Sequence, residues 1–188
     1  MRIKTPREQR ICNIKAVIRW TLYYVFIFLC FLIMSSGTWI KPILLVPAAI
    51  AISVNSGQYG SAFAGAVCGF LIDIACGKLV GYNAVLLAFF CIVVSLLYEY
   101  YLRNKFVNYI IITAVVAYIQ CWLDYKFYYE MWEYEDAEII FSQISMKVWA
   151  LTIISAVFIF LVIQLINRFF LPKDHITIEE AIKGSTEQ

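Results

Sequence analysis

The sequence has little charge and almost none of the residue groups that commonly carry out catalysis. Only 15% of the 188 residues are Asp, Glu, Lys or Arg, and there is a single histidine, His175. Soluble domains contain about 25% charged residues. We find no P-loop, no GxSxG, no HExxH and no cluster of His, Asp and Glu with the spacing of metal ligands. The sequence therefore argues against an ordinary soluble enzyme and predicts no catalytic residue, no metal site and no cofactor.

Cysteine pairing motifs are also missing, since none of the six cysteines stands in a CxxC pair. Most of them lie inside apolar runs, where a thiol packs as a small apolar group. We interpret them as packing residues rather than as a disulfide framework or a redox or metal site. The six are Cys12, Cys30, Cys68, Cys76, Cys91 and Cys121.

Apolar residues make up 63% of the chain, against about 45–50% in soluble domains. They form six runs, at 17–34, 40–54, 61–76, 79–98, 107–123 and 148–170. A membrane-spanning helix needs about 20 such residues. We predict an all-α integral membrane protein, a six-helix transmembrane bundle over residues 16–171. A basic cytoplasmic segment at 1–15 precedes it and a polar cytoplasmic tail at 172–188 follows. The first run exceeds the length of a signal-peptide core, about 7–15 residues, so we expect a retained helix.

The second run is the weak point of this topology, because it is short and contains Pro42 and Pro47. Proline removes a backbone donor and kinks a helix interior. We predict a short, bent or partly re-entrant span, which a membrane tolerates only where protein or water covers the backbone. If this segment does not cross, every later loop changes side.

The distribution of positive charge tests the span count. Of the 15 Lys and Arg residues, all but Lys41, Lys78, Lys126 and Lys147 fall on the side of the N-terminus when six spans are assumed. Loops rich in Lys and Arg stay in the cytoplasm. We therefore predict a multi-pass protein, embedded in the lipid bilayer of a cell membrane, with both termini in the cytoplasm.

A glycine-rich stretch between Gly57 and Gly81 contains six of the eight glycines. Small residues spaced four apart form one ridge on a helix and let two helix backbones approach closely in lipid. We predict a packing face for another helix, either of the same chain or of a partner protein. Its residues are Ser61, Gly65, Gly69, Asp73, Gly77 and Gly81.

Asp73 is the only acidic residue within a predicted span. A charge there is costly, and a carboxylate near a helix C-terminus also opposes the helix dipole. Three interpretations stay open. Asp73 is hydrogen-bonded to a neighbouring helix or to the glycine-rich loop, it pairs with Lys78 at the outer surface, or it is a proton or ligand site.

The predicted external loop at 124–147 alternates aromatic and acidic residues. This pattern fits an amphipathic segment at the membrane interface, or a docking patch for an extracytoplasmic partner. The acidity of the loop argues against nucleic acid as a partner. The candidate docking residues are Tyr128, Tyr129, Trp132 and Tyr134.

The glycine-rich stretch resembles the rod shape-determining MreD family. The resemblance covers about a quarter of the chain, and elsewhere it is one of size and hydropathy. The matching residues are Lys41-Pro42, the segment Gly57-Gln58-Tyr59-Gly60, and Gly65, Gly69, Asp73, Gly77 and Gly81.

The resemblance implies a non-enzymatic subunit of the bacterial cell-elongation complex, which couples peptidoglycan synthesis to cell shape. The implied partner is MreC, a single-span protein, and through it the MreB filament, RodA and a class B penicillin-binding protein. The family also implies a fold like that of the S component of energy-coupling-factor transporters.

That fold sets up the alternative function, a substrate-binding S component of a vitamin transporter. S components resemble this chain in size and span count, and typically have small residues four apart on the first helix. Here the first helix is bulky between Trp20 and Phe28. A ligand pocket also needs several convergent polar groups, and only Asp73, Asn83 and Gln120 are candidates.

Overall fold

The regular elements of the protein are helices throughout the described part of the chain. A computed structural model describes residues 6–36, 42–77, 79–101, 105–128 and 141–170. Five of its helices are long and apolar enough to cross a membrane, which supports a multi-pass membrane protein. The helices are α1 (Pro6–Ser35), α2 (Leu45–Ser53), α3 (Gln58–Cys76), α4 (Tyr82–Tyr100), α5 (Lys105–Tyr128) and α6 (Met146–Phe170), with a π-helical turn (Phe141–Ser145) directly before α6.

The second helix, α2, is too short to cross by itself. Its nine residues span about 13.5 Å, against a hydrocarbon core of about 30 Å. All nine are buried, as expected for a helix that is apolar on every side. It contacts each of the other five helices and so forms the centre of the bundle.

The two prolines do not kink the interior of a helix, which differs from the bent span that the sequence predicted. Pro42 precedes α2, and Pro47 falls in its first turn. An N–H in the first turn has no partner inside the helix, so a proline there removes no helical hydrogen bond. The structure therefore shows a short helix covered by protein, beginning close to Pro47.

The hydrogen bonds between helices show which helix ends lie together. The Tyr23 hydroxyl of α1 donates to Asn167 Oδ1, near the end of α6. Lys105 Nζ, at the start of α5, donates to Asn55 Oδ1 just after α2, at 3.1 Å. We call this end of the bundle the basic end, because Arg19, Lys105 and Arg168 belong to it.

The turn between α2 and α3 also lies at the basic end. Ser95, near the end of α4, donates to the Ser56 carbonyl of that turn at 2.9 Å. Farther from the basic end, the Ile43 N–H before α2 donates to Thr152 Oγ1 in the first half of α6, at 3.0 Å. Consecutive helices are therefore antiparallel, and α2 leads from the bundle interior to the basic end.

The outer faces of the long helices are apolar, as a lipid environment requires. On α6, Ile154, Phe158, Leu161 and Leu165 are all exposed. Monomeric soluble proteins rarely expose contiguous apolar patches larger than a few hundred Å². These faces are suited to contact with lipid tails or with the helices of a partner.

Candidate functional site

The glycine ridge of α3 packs directly on α4 of the same chain. A Cβ added to Gly69 would lie 2.5 Å from Ala84 Cα, and one added to Gly65 would lie 2.8 Å from the Leu87 carbonyl oxygen. Both neighbours are backbone atoms of α4, so only a hydrogen side chain fits. The α3–α4 pair is the most extensive helix contact in the described residues. This part of the predicted face is therefore covered within the bundle.

The two ends of the ridge have different roles. Buried Ser61 donates from its hydroxyl to the Gly57 carbonyl at 3.0 Å and to the Ser56 carbonyl at 3.2 Å, which closes the turn before α3. At the other end Gly77 has a φ of 62° and Gly81 a φ of 101°. Glycine adopts this left-handed conformation without steric cost. The two glycines end α3 and begin α4.

Asp73 is fully buried and holds this second turn together. Its Oδ2 accepts the Gly81 N–H at 2.8 Å. Its Oδ1 accepts Asn83 Nδ2 at 2.8 Å and the Asn83 backbone N–H at 3.3 Å. These N–H groups belong to the first turn of α4, where a carboxylate is favoured by the helix dipole and satisfies free donors. Asp73 thus supplies from α3 the cap that Gly81, without a side chain, cannot supply.

Of the three interpretations of Asp73, bonding to the glycine-rich turn and the neighbouring helix matches the described contacts. The alternative partner Lys78 lies outside the described residues. For a proton or ligand site, both carboxylate oxygens are already engaged. The sequence indicated the unfavourable C-terminus of α3 but not the favourable N-terminus of α4, which the turn brings to the same place.

A polar chain continues from Asp73 across three helices. Asn83 Oδ1 accepts Gln120 Nε2 of α5 at 2.8 Å, and Asn83 and Gln120 are both buried. Gln120 Oε1 is buried without a hydrogen-bond partner among the described residues. The three polar candidates from the sequence are therefore bonded to one another, and the network ties α3, α4 and α5 together.

A second polar region lies at the basic end and was missed by the sequence analysis. Two cavities, of about 310 Å³ and 260 Å³, share Asn55 and Lys105 in their walls. The smaller one is also lined by Gln164, Asn167 and Arg168 of α6. The sequence did contain a signal for it. Asn167 and Arg168 follow Gln164 by three and four residues, so the three polar side chains share one helix face near the end of the last span.

The predicted docking loop is largely outside the described residues. Tyr129, Trp132 and Tyr134 fall there, and of Tyr128 only the backbone is described. Their role stays a prediction. Within the described part of the chain, no group of three or more His, Cys, Asp or Glu residues could hold a metal ion.

The fold and the buried network define a multi-pass helical membrane protein whose one fully buried carboxylate in the described residues caps a neighbouring helix. Comparison with protein-family models, with curated proteins and with solved structures finds no match to this chain.

Proposed function

We propose that the chain is an MreD-like, non-enzymatic subunit of the bacterial cell-elongation complex. In this role it associates with MreC in the membrane and, through MreC, with MreB, RodA and a class B penicillin-binding protein. It helps to couple peptidoglycan synthesis to cell shape. The proposal comes from the resemblance of the glycine-rich stretch between Gly57 and Gly81 to that family.

The observation that carries the proposal is the use of the resembling residues inside the fold. Gly65 and Gly69 allow α3 and α4 to touch, and Gly77 and Gly81 form the turn between them. Asp73 fastens that turn through both carboxylate oxygens. These residues build a rigid helical hairpin and are not left facing a cavity. Such use favours a scaffold over a protein that performs chemistry at this motif.

The proposed location is the bacterial cytoplasmic membrane, with the basic end in the cytoplasm. Arg19, Lys105 and Arg168 gather at that end, whereas Lys126 and Lys147 lie at the opposite one. Basic residues close to span ends stay on the cytoplasmic side. Because α1 enters the bundle near Tyr23 and α6 leaves it near Asn167, both at the basic end, this orientation has both termini inside.

The vitamin-transporter alternative has less support. A binding pocket needs polar groups that converge on a ligand. Asp73, Asn83 and Gln120 instead converge on each other, and none of them lines the two cavities at the basic end. Retention of a vitamin by the purified protein through detergent washes would restore this alternative.

The decisive experiment is co-purification with the MreC of the same organism in mild detergent. We expect stoichiometric recovery of MreC with the tagged chain. Failure of recovery, with both proteins well expressed and inserted, would contradict the proposal. Clean deletion of the gene should turn rod-shaped cells round, and normal rods without a second copy of the gene would count equally against it.

The structure changes the choice of variants for this experiment. Gly69→Leu would disturb the α3–α4 contact inside the chain, so it tests folding rather than docking. The external loop is better tested by Tyr129→Ser with Trp132→Ser. A matched control removes two exposed aromatic residues at the basic end, Tyr59→Ser with Tyr101→Ser. Loss of MreC with the loop variant alone would assign docking to the loop.

A further inference from the structure

The smaller cavity of the basic end lies where the membrane-spanning segments end. Its walls come from Asn55 after α2, Lys105 at the start of α5, and Phe160, Gln164, Asn167 and Arg168 of α6. Lys105 begins one candidate span, and Arg168 lies two residues before the end of another. Residues at span ends lie at the level of the lipid head groups. Lipid head groups can therefore reach this cavity.

The cavity is positively charged. Within the described part of the chain, neither Lys105 nor Arg168 forms an ion pair, and Lys105 Nζ donates to the neutral Asn55 amide oxygen. Among the described residues, Glu99 is the one acidic residue lining either cavity, and it lies in the wall of the larger one. Its carboxylate accepts Gln58 Nε2 at 3.3 Å. Two cations without a matching carboxylate favour an anion in the smaller cavity.

Asn167 supplies an independent reason to expect a ligand. Its side chain is 6% exposed, and its Oδ1 accepts the Tyr23 hydroxyl. Its Nδ2 is buried and has no hydrogen-bond partner in the described part of the chain. A buried donor without an acceptor is costly. Asn167 also lines the cavity, so a turn of its side chain that brings Nδ2 to the cavity wall would let an oxygen of a bound molecule remove that cost.

The volume of the cavity and its apolar wall limit the kinds of ligand that fit. A volume of about 260 Å³ is below the about 300–1,000 Å³ of sites that enclose drug-sized ligands. The cavity therefore suits a head group rather than a whole lipid or a large metabolite. Phe160 provides an apolar side to it, with Phe106 packed against Phe160 at a ring distance of 5.5 Å. An anionic group with an apolar continuation fits both features.

We propose that this cavity binds the phosphate of an anionic membrane lipid. Lys105 and Arg168 neutralise the phosphate, and Asn167 Nδ2 donates to one of its oxygens. Basic pockets between membrane helices on the cytoplasmic side are suited to such head groups. This inference does not depend on the proposed function, because it uses none of the residues of the α3–α4 hairpin.

The test is lipid-dependent thermal protection of the purified full-length protein in a neutral detergent. Phosphatidylglycerol is titrated, with zwitterionic phosphatidylcholine as one comparison and inorganic phosphate as another. We expect saturable stabilisation by phosphatidylglycerol alone. Equal protection by phosphatidylcholine would overturn the anionic specificity, and equal protection by inorganic phosphate would overturn the lipid assignment.

Two variants connect the effect to the cavity. Lys105→Gln with Arg168→Gln should weaken the apparent affinity by about tenfold or more, because charge-assisted hydrogen bonds are lost. Asn167→Asp keeps an oxygen for Tyr23 but replaces the donor by a second oxygen, so it should weaken binding as well. Lys147→Gln removes a charge at the opposite end and should bind as the wild type does. Unchanged affinity in the double variant would overturn the proposal, even if Asn167→Asp fails to fold.

Discussion

At the scale of single residues, Asp73 is the side chain on which the hairpin turn depends most. It accepts from Gly81 N–H and from both donors of Asn83. Asp73→Ala would leave these buried donors without acceptors. Each unsatisfied buried donor costs about 1–3 kcal/mol, so we expect the free energy of unfolding to fall by about 3 kcal/mol. Titration with a denaturing detergent in mixed micelles measures this change.

Two further variants make the Asp73 result specific. Asp73→Asn keeps one acceptor oxygen but turns an NH₂ group toward the remaining donors, so its loss should lie between wild type and Asp73→Ala. Glu99→Gln is the matched control on an exposed carboxylate, which among the described residues accepts a hydrogen bond from Gln58. Surface substitutions of this kind stay within about 0.5 kcal/mol. An Asp73→Ala protein as stable as the wild type would show that the cap is not needed.

Part of this residue-level arrangement could be predicted from the sequence. A single carboxylate in an apolar span must find donors, and the nearby glycines indicated a turn that could supply them. The sequence could not show that the donors are Gly81 and Asn83, since this depends on the left-handed conformation of Gly77 and Gly81. It also missed Asn167, because its partner Tyr23 is 144 residues away in the chain.

At the scale of elements, the α3–α4 contact depends on the absence of side chains on one face of α3. Gly69→Ala places a Cβ 2.5 Å from Ala84 Cα, a backbone atom that cannot move aside alone. Overpacking costs about 1–3 kcal/mol, and alanine regains about 1 kcal/mol of helix propensity. With an overpacking cost near about 3 kcal/mol and a gain of about 1 kcal/mol, we expect the free energy of unfolding to fall by about 2 kcal/mol. Unfolding in detergent measures this change.

Gly57 provides the matched control for Gly69. Its backbone has a φ of −68° and ψ of 167°, a conformation open to any residue. In the part of the chain that the structure describes, no atom lies within 4 Å of a Cβ added there. Gly57 is the N-cap of α3, where alanine is less favourable than glycine, so Gly57→Ala should lower the free energy of unfolding by about 0.5–1 kcal/mol, less than Gly69→Ala does. Equal stability of the two variants would contradict close packing of α3 on α4.

The spacing of the glycines predicted close helix packing. The position and burial of α2, in contrast, could not be predicted from the sequence. Hydropathy placed an apolar segment at 40–54, and the described helix covers only Leu45–Ser53. Pro47 limits where the helix begins, because a proline stands without cost only in a first turn. The complete burial of the helix depends on the five surrounding helices, which no local pattern reveals. The sequence therefore predicted an apolar segment too short and too rich in proline for an ordinary span, but not its position at the centre of the bundle.

At the scale of the whole molecule, the order of helix directions follows from contacts rather than from span lengths. In chain order α2 stands between α1 and α3. It runs toward the basic end, where α3 begins and where α1 meets the end of α6 through Tyr23. Five candidate spans would separate the chain ends across a membrane if α2 were ignored. With α2 included, Tyr23 in the middle of α1 lies beside Asn167 near the end of α6, and the location of both termini on one side of the membrane stays a prediction.

Cysteine labelling from each side of the membrane tests this arrangement. Single cysteines at Gly57, Tyr101 and Leu79 report on three exposed positions, in a background with Cys12→Ser and Cys76→Ser. Gly57→Cys and Tyr101→Cys lie at the basic end, so an impermeant maleimide should label them only in inverted vesicles. Leu79→Cys lies at the opposite end and should react in intact cells. Labelling of Gly57→Cys and Leu79→Cys from one side would show that α3 does not cross. Exchange of the two sides would keep the helix order and overturn the cytoplasmic placement of the basic end.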